Sequence, residues 1–592
     1  VVFTAVEEAD EANPSGSAKL LVKEALDIAN QVKATNIVLY PYAHLSSSLS
    51  NPTVAVKVLK EAESLLKKEK SYKVWRAPFG WYKSFEVRCK GHPLSELSRS
   101  FTSAGEIDEG GKEKEVVSEA LKAEKTLKSH WQILDIDGKL YDVDKFDYKK
   151  YPGLKIFANY EKSKQRVADK EPAHIGIMKR LELVDYEPAS DSGNLRYYPK
   201  GRLIKKLLEE FVTDRTVEYG GVEVETPIMY DMKHPTLERY LNKFPARQYQ
   251  IDSDKRMFFL RFAACFGQFL MAHDATISYR NLPLKLYELT RYSFRREQSG
   301  EVTGLRRLRA FTMPDVHALC ADMKQAKQEF LKRFELCLDT QKKIGFTSKD
   351  LEFAVRMTTD FWKENKDMVV NLVKRYGKPA LIELWDERKF YFILKYEFNF
   401  VDNLNKASAL STDQIDVENG ERYDMTFTGK DGKKHHPVVL HCSPSGAIER
   451  VMYALLEQAA KEQDAGRTPS LPYWLSPTQV RLIPLNETHL EYCEKLADEF
   501  HEAHIRVDID DNTESIGKRI RTAAQDWNPF ILVIGDKEVE SGKFQVRVRG
   551  EKDASIMKKE ELLKECALLQ EGTPWKPLPL PRKLSKRPIF VG

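Results

Sequence analysis

The sequence predicts a multidomain α+β and α/β protein, with an antiparallel α+β core flanked by smaller α/β units. Three observations predict it. At roughly 150 residues per domain, the length of 592 suggests about four domains. The stretch 186–475 mixes helical and strand-like segments in a layout that suits an antiparallel sheet with a helical insertion. The tail, 476–592, alternates strand and helix as βαβαβ and is mixed in its last strand.

Residues 1–105 alternate helix-like and strand-like segments. Helical spacing runs over 18–32, residues 36–40 read as a buried strand, and 52–67 as a helix with Pro52 just inside its start. Residues 73–77 and 85–89 alternate as strands around the turn signal Pro78-Phe79-Gly80. A Gly- and Glu/Lys-rich run over 105–128 reads as a hinge followed by a solvated helix and sets the first boundary. Residues 106–185 read as a linker and connector. In the central unit, 201–212, 324–343 and 348–376 read as helices, and 222–225, 390–401 and 438–441 as strands. In the tail, strands at 480–484, 505–509, 530–534 and 544–548 accompany helices at 487–501 and 514–525.

Composition narrows the class. Hydrophobic residues make up 42% and charged residues 31%, as in a globular protein with material for several cores. No apolar run approaches the roughly 20 residues that span a bilayer, and no signal-peptide pattern opens the chain, so the expected compartment is the cytoplasm. The chain opens on Val1-Val2-Phe3 rather than Met, and the expectation is that the natural N-terminus is missing. Lys plus Arg total 94 against 89 for Asp plus Glu, so a nucleic-acid partner must be met by local basic clusters rather than by net charge. The seven cysteines are odd in number, scattered, and form no C-x-x-C pair. That argues against a disulfide framework and a ribbon-type zinc site.

There is no P-loop and no G-x-G-x-x-G opening a helix, so any nucleotide is held another way. The clearest chemical signal lies in the central unit. Phe294-Arg295-Arg296-Glu297 is followed by a Gly-containing loop and then by Leu305-Arg306-Arg307-Leu308-Arg309-Ala310-Phe311. Two strands bearing Arg, Arg and Phe form a hairpin able to clamp a nucleotide. Arg295 can fork onto an α-phosphate or carboxylate, Arg307 can meet the γ-phosphate, and Phe311 can stack on adenine. Downstream, Gly446-Ala447-Ile448-Glu449-Arg450 opens an apolar helix and offers Arg450 to the other face of the base. Upstream, Gly221-Val222-Glu223-Val224-Glu225-Thr226-Pro227 makes a helix-to-strand step ending in Pro.

In order and spacing these three elements resemble motifs 2, 3 and 1 of the class II aminoacyl-tRNA synthetases. Two short matches point the other way: His174-Ile175-Gly176-Ile177 and Lys583-Leu584-Ser585-Lys586-Arg587 are similar to the class I signatures. The first lacks its final His and lies in the connector, and the second sits in a Pro-rich tail.

Cys265, His317 and His441 are each readable alone as a buried thiol or a hydrogen-bonded core imidazole. Together they occupy the three places where the threonyl-tRNA synthetases of class II carry zinc ligands. One thiolate and two imidazoles leave a fourth tetrahedral position open. The chain therefore resembles the threonyl-tRNA synthetase family, in its archaeal form, over nearly its whole length. Residues 408–416 and 441–446 carry further matching wording. In the first region, Tyr40-Pro41-Tyr42-Ala43-His44-Leu45, Phe79-Gly80-Trp81-Tyr82-Lys83 and Gly91-His92-Pro93-Leu94-Ser95-Glu96 resemble the archaeal editing domain, which has the fold of D-aminoacyl-tRNA deacylases. The family's functional residues match at His44, Tyr82, Lys83 and Glu96. The family's domain begins with a strand placed before Val1, so an editing fold short of its first strand is expected. The tail resembles the class IIa anticodon-binding domain through residues 535–542 and 546–549, with Arg521, Glu538 and Arg547 as candidates for RNA contact.

The resemblance implies an ATP-dependent ligase that charges tRNA(Thr) with threonine, using Zn²⁺ to hold the amino acid and Mg²⁺ with ATP. It implies removal of mischarged serine by the first domain and a homodimer formed through motif 1. Arg295 and Arg450 are the expected catalytic residues. Glu297, Arg307, Phe311, Asp315 and Gln414 are expected around ATP and substrate, with Asp315 accepting the threonine hydroxyl proton. His435 and His436 sit in a polar Gly/Lys turn and read as exposed. Two alternatives remain open here. Another class IIa synthetase, prolyl or histidyl, gives Cys265, His317 and His441 no shared job. A non-catalytic tRNA-binding paralogue predicts the loss of an Arg or a metal ligand, and none is lost.

Overall fold

On the strand Ala310–Cys320, Thr312, Pro314, Val316 and Ala318 are buried on one face, while Phe311, Met313, Asp315 and His317 share the other. This period-two alternation sorts the central sheet into an apolar face and a chemical face. The computed structural model describes residues 1–46, 48–81, 100–101, 107–108, 129–163, 170–241, 248–297, 302–388 and 390–590. The chain divides into two units, Val1–Val117 and Ser118–Gly592.

In the first unit, β1 (Val2–Thr4), β2 (Asn36–Pro41) and β3 (Lys73–Arg76) form a parallel sheet in that order. Helices α1 (Pro14–Gln31) and α2 (Pro52–Leu66) each begin with a proline after a capping Asn, Asn13 and Asn51. They bury Ala18, Leu21, Val58 and Leu59 with Ile37 and Leu39 of the sheet. The expected strand at 85–89 lies outside the described residues, as do the hinge and helix over 105–128 except Ile107–Asp108, a short strand antiparallel to Ser100–Phe101.

The second unit is built on a ten-stranded sheet. In chain order its strands are β4 (Ser129–Leu134), β5 (Leu140–Asp142), β6 (Val222–Glu223), β7 (Leu284–Phe294), β8 (Ala310–Cys320), β9 (Leu351–Thr358), β10 (Ala380–Trp385), β11 (Phe392–Val401), β12 (Ala407–Asp416) and β13 (Val438–Ser443). Their order across the sheet is β6-β7-β8-β13-β12-β11-β9-β10-β4-β5. Only β6–β7 and β9–β10 run parallel. Helices α3 (Pro152–Ser163), α4 (Ala173–Arg180), α5 (Pro199–Glu218), α6 (Cys265–Asp274), α7 (Met323–Ile344), α8 (Thr359–Tyr376) and α9 (Ile448–Asp464) pack around it. Residues 129–180, read from sequence as connector, thus supply the last two strands at one side of the sheet and two helices.

The long helix expected over 348–376 is a correction. Leu351–Thr358 is a strand, and only Thr359–Tyr376 is helical. Leu351, Phe353, Val355 and Met357 alternate onto the apolar face, and Thr358 caps the helix by accepting the Phe361 N–H. That face is filled by α5, α7, α8 and α9, with Phe334, Phe353, Tyr376, Tyr396 and Phe398 in mutual ring contact. On the other face, one rung of paired residues runs His317, His441, Gln414, Lys395, Arg356, Glu383 and Trp131 across β8, β13, β12, β11, β9, β10 and β4. A polar stripe therefore crosses the sheet. At one end Phe262 and, from α6, Phe266 and Phe269 cover it. At the other α3 covers it with Leu154 and Phe157, and there Arg356 is ringed by Glu161, Glu383 and Glu397.

The tail folds as β14 (Val480–Pro484), β15 (Val507–Ile509), β16 (Phe530–Ile534), β17 (Lys543–Val548) and β18 (Ser555–Lys558), in the order β15-β14-β16-β17-β18. The first three are parallel and the last two antiparallel. Helices α10 (Leu490–Glu502), α11 (Ile516–Gln525), α12 (Asp536–Ser541) and α13 (Lys559–Gln570) accompany them. β18 and α13 carry no expectation from sequence. Among the described residues no helix is long and apolar enough to cross a membrane. The class I-like Lys583–Arg587 stretch has a structural job. Lys583 bridges to Ile509, and Arg587 Nη1 donates to Asp508 Oδ2 at 2.9 Å.

Burial alone would raise the Asp508 carboxyl. Arg481, donating to both its oxygens at 2.8 and 2.9 Å, outweighs that together with Arg587 and Thr478 and holds it down at about 2. A carboxyl depressed in the folded state stabilises above the unfolded pKa near 4, and the contribution is lost as pH falls toward 2. Asp508→Asn should therefore lower stability by about 2–4 kcal/mol at neutral pH. The gap to the unmodified protein should narrow as pH drops from 5 to 3, read by denaturant unfolding. A pH-independent gap would deny the ion pair this role.

Candidate active site

The site forms where the open face of β8 meets α6. Cys265 is the first residue of α6, His317 lies on β8 and His441 on the neighbouring β13. The Cys265 Sγ lies 3.2 Å from His317 Nε2 and 3.7 Å from His441 Nδ1, and the two nitrogens are 3.1 Å apart. All three residues are buried. A tetrahedral ion with metal–sulfur and metal–nitrogen bonds of about 2.3 and 2.0–2.1 Å has N–N edges of about 3.3 Å and S–N edges of about 3.6 Å. The cluster fits these edges.

Its neighbours set the protonation pattern. His317 Nδ1 lies 2.7 Å from Gln268 Oε1, and His441 Nε2 lies 2.7 Å from Asp416 Oδ2. Both partners accept, so each ring carries its proton on the outer nitrogen and turns a lone pair toward the thiol. Burial, with the neighbouring His441 and Arg333 adding, holds His317 well below the ordinary imidazole range. Phe269 lies edge-on to both imidazoles, with centroids at 4.9 and 5.6 Å.

Asp315, two residues before His317 on the same face, is pushed up to about 7 by its removal from water. Glu288 opposite adds to that, while the Ala264 N–H, 3.3 Å from Asp315 Oδ2, opposes it. Four residues further back, Phe311 is half-buried on this face. One strand thus carries Phe311, Asp315 and His317 in line, rising roughly 3.3 Å per residue.

Beyond Phe311 the arginines gather. Arg307 Nη2 donates to Glu297 Oε2 at 2.8 Å, and Arg295 Nε approaches the other carboxylate oxygen at 3.5 Å. Arg295 N–H donates to the Arg309 carbonyl at 2.8 Å and closes the hairpin. Arg450 enters from the first turn of α9, donating to the Ala409 carbonyl at 2.9 Å. Gly446 adopts φ +78° before this helix, and a Cβ there would meet the Leu410 carbonyl oxygen at 2.3 Å, so only glycine lets the turn approach β12. Burial, followed by the positive charge of Arg295, lowers the Arg450 pKa, with Arg307 adding. Three guanidiniums facing one another around a single carboxylate make a pocket of positive potential suited to a polyanion.

Gln414 sits beside His441 in register, and its Oε1 accepts from the Tyr391 hydroxyl at 2.7 Å. His435 is exposed and pairs with Asp431. In the first unit His44 is exposed in the short helix Ala43–Leu45, with its ring edge against Tyr42. Tyr82, Lys83 and Glu96 lie outside the described residues. In the tail, Arg521 is exposed on α11 and Arg547 on β17, while Glu538 Oε2 accepts the Gly535 N–H at 3.0 Å and caps its own helix.

Comparison with known proteins places this geometry. Residues 1–101 match the archaea-specific editing domain of threonyl-tRNA synthetase, 249–459 the class II tRNA synthetase core domain (G, H, P, S and T), and 479–568 an anticodon-binding domain. The chain is 57% identical to a threonine–tRNA ligase of Methanosarcina barkeri and to one of Pyrococcus horikoshii, over 100% of its own length and 94% of theirs. The chain belongs to the threonine–tRNA ligase family. In fold it is similar to a structure titled as the RNA binding domain of threonyl-tRNA synthetase from Cryptosporidium parvum, with a TM-score of 0.58, 23% identity, and coverage of 67% of this chain and 98% of that one.

Within this family member, three residues next to the cluster were missed by sequence reasoning. Tyr391, its ring 5.1 Å from His441, sits in a Phe/Tyr run that reads as strand packing. Asp416 lies in a stretch quoted above for resemblance without a role. Gln268 follows Cys265 by three residues, one helical turn, and that spacing was the signal available for it. Asp416→Asn keeps the Oδ1 acceptor for the Glu418 and Asn419 N–H groups but puts an amide against His441 Nε2. Divalent-ion affinity should fall 10- to 100-fold, measured by chelator competition on the whole chain. Unchanged affinity would show that the Asp416–His441 bond does not orient a ligand.

Proposed function

We propose that the chain activates threonine with ATP and transfers it to tRNA(Thr), and that Cys265, His317 and His441 hold a zinc ion. One observation carries the reading: the thiol–imidazole cluster stands on the same strand face as the arginine pocket. The first reaction joins a carboxylate to the α-phosphorus with loss of pyrophosphate. Two anions must approach, so catalysis rests on positioning and on neutralising charge. Arg295 bridges the amino-acid carboxylate and the α-phosphate, and Arg307 holds the outer phosphates, where Mg²⁺ shares their charge. Phe311 and Arg450 enclose adenine, and Glu297 orients Arg295 and Arg307 and accepts from the adenine amino group. The threonyl group then passes to the terminal ribose of tRNA.

Zinc held by Cys265, His317 and His441 would offer an open side able to accept the threonine amino nitrogen and side-chain oxygen by expanding to five ligands. Asp315 accepts the hydroxyl proton, and Gln414 with Tyr391 lines the same wall. Valine matches threonine in shape and lacks the oxygen; a site built for a hydroxyl rejects such an analogue by a factor on the order of 10⁴. Serine keeps both donors and lacks one methyl, a difference that yields only about 10- to 200-fold. A separate hydrolytic site is the remedy, and His44, Tyr82, Lys83 and Glu96 of the first unit are assigned to removing mischarged serine.

Arg521, Glu538 and Arg547 are assigned to the anticodon, and the cytoplasm is the assigned compartment. A homodimer through motif 1 is supported by the exposed apolar residues Val217, Val222, Ile228 and Met229 around it.

ATP–pyrophosphate exchange tests the reading. It should depend on threonine and be abolished in Cys265→Ala or His441→Ala. Exchange with proline or histidine instead, or full activity of a metal-stripped Cys265→Ala variant, would sink it. Lys83→Ala should leave exchange intact while Ser-tRNA accumulates. Undiminished clearance of Ser-tRNA by that variant would remove the editing assignment.

A further inference from the structure

The class I-like stretch His174–Ile177 has no part in the reaction described above, yet His174 is wholly buried against the nucleotide hairpin. It is the second residue of α4. Its own N–H donates to Glu457 Oε1 at 2.9 Å, and its Nδ1 lies 2.7 Å from the same oxygen. The carboxylate accepts both, so the ring proton resides on Nδ1. The Nε2 lone pair then accepts the Leu305 N–H at 3.2 Å.

Leu305 lies in the turn of the hairpin. Thr303 N–H donates to the Arg307 carbonyl at 3.0 Å, and Arg306 N–H to the Thr303 carbonyl at 3.0 Å. The turn needs Gly304, at φ +47°, because a Cβ there would lie 2.4 Å from His174 Nε2. The Gly304 N–H donates to the Tyr186 hydroxyl at 3.2 Å. On the other side, Arg306 Nη1 and the Tyr453 hydroxyl share Asp402 Oδ2 at 3.3 and 3.0 Å. Tyr453 and Glu457 both belong to α9, and the Tyr453 ring lies edge-on to His174 with centroids 4.9 Å apart. The imidazole therefore joins the hairpin turn to the helix that carries Arg450.

We propose that His174 is a positioning residue for ATP: by accepting the Leu305 N–H while tied to Glu457, it fixes the turn that delivers Arg307 relative to the helix that delivers Arg450. This rests on reading the hairpin as the nucleotide site. The two nitrogens have separate jobs, so two substitutions separate them. Asn places a donor near the Nδ1 position and nothing at Nε2. Gln places an acceptor near the Nε2 position.

Threonine-dependent ATP–pyrophosphate exchange should show the KM for ATP raised about tenfold in His174→Asn, as a buried N–H is stranded. The KM for threonine should stay within twofold, and His174→Gln should recover most of the ATP affinity. Equal damage in both variants, or ATP and threonine affected alike, would reduce His174 to a packing residue and overturn the proposal. In the unmodified protein, ¹⁵N-histidine NMR should show His174 as the Nδ1–H tautomer; an Nε2–H tautomer would overturn it without any variant. Absence of exchange in the unmodified protein would instead overturn the nucleotide reading and this proposal with it.

Discussion

Three electron-rich atoms, the Cys265 sulfur and one nitrogen each of His317 and His441, are held 3.1–3.7 Å apart in a buried pocket. Without a cation, two imidazole lone pairs face one sulfur whose single S–H can serve only one of them at a time. The surrounding structure nevertheless enforces this convergence. Asp416 and Gln268 take the outer protons of the two rings, and Phe269 wedges against both. The first turn of α6 presents the thiol. These contacts give a buried group of three side chains on β8, β13 and α6 that could hold a metal ion.

The sheet transmits the arrangement to the rest of the site. β8 is continuous from Ala310 to Cys320, so the distance between Phe311 and His317 is fixed by strand geometry rather than by loops. Only alternate residues face the site, which is why Asp315 and Phe311 share it with His317 while Thr312 and Val316 pack below. Glu449 ties this strand to the neighbouring helix by accepting the Thr312 N–H at 2.8 Å while paired with Lys205 at 2.6 Å. The thiol–imidazole cluster and the arginine hairpin are thus registered against one rigid element.

Much of this was legible in the sequence because the chemistry there is local or strictly ordered. The parallel start and antiparallel end of the tail sheet follow from turn signals and short apolar strands, and the arginine hairpin from two adjacent segments. Legibility failed where the signal was tertiary. Leu351–Thr358 carries Glu352 and Arg356 among its apolar residues, and beside a long helix it passes for helix. In the structure those charges are met by Lys378 and by Glu161, Glu383 and Glu397, partners distant in sequence. Residues 129–142 read as connector because an edge strand needs no distinctive pattern until a sheet exists to receive it. Tyr391 and Asp416 act on the site through other residues, and a single sequence gives such residues no spacing rule.

The two class I-like stretches illustrate the same limit from the opposite side. A four-residue match carries little information, and its meaning is set by what surrounds it. His174 has a carboxylate on one nitrogen and a backbone N–H on the other, both contributed by segments more than a hundred residues away. Arg587 completes a charge pair around Asp508 in a sheet of the tail. Neither bears the exposed, glycine-flanked character of a phosphate-binding loop. His174 is a buried polar group with a partner on each nitrogen, and Arg587 is half-buried against Asp508; polar groups held in this way specify how segments dock. A histidine in a connector is therefore better interpreted by asking which two groups its two nitrogens must satisfy than by matching its neighbours to a signature.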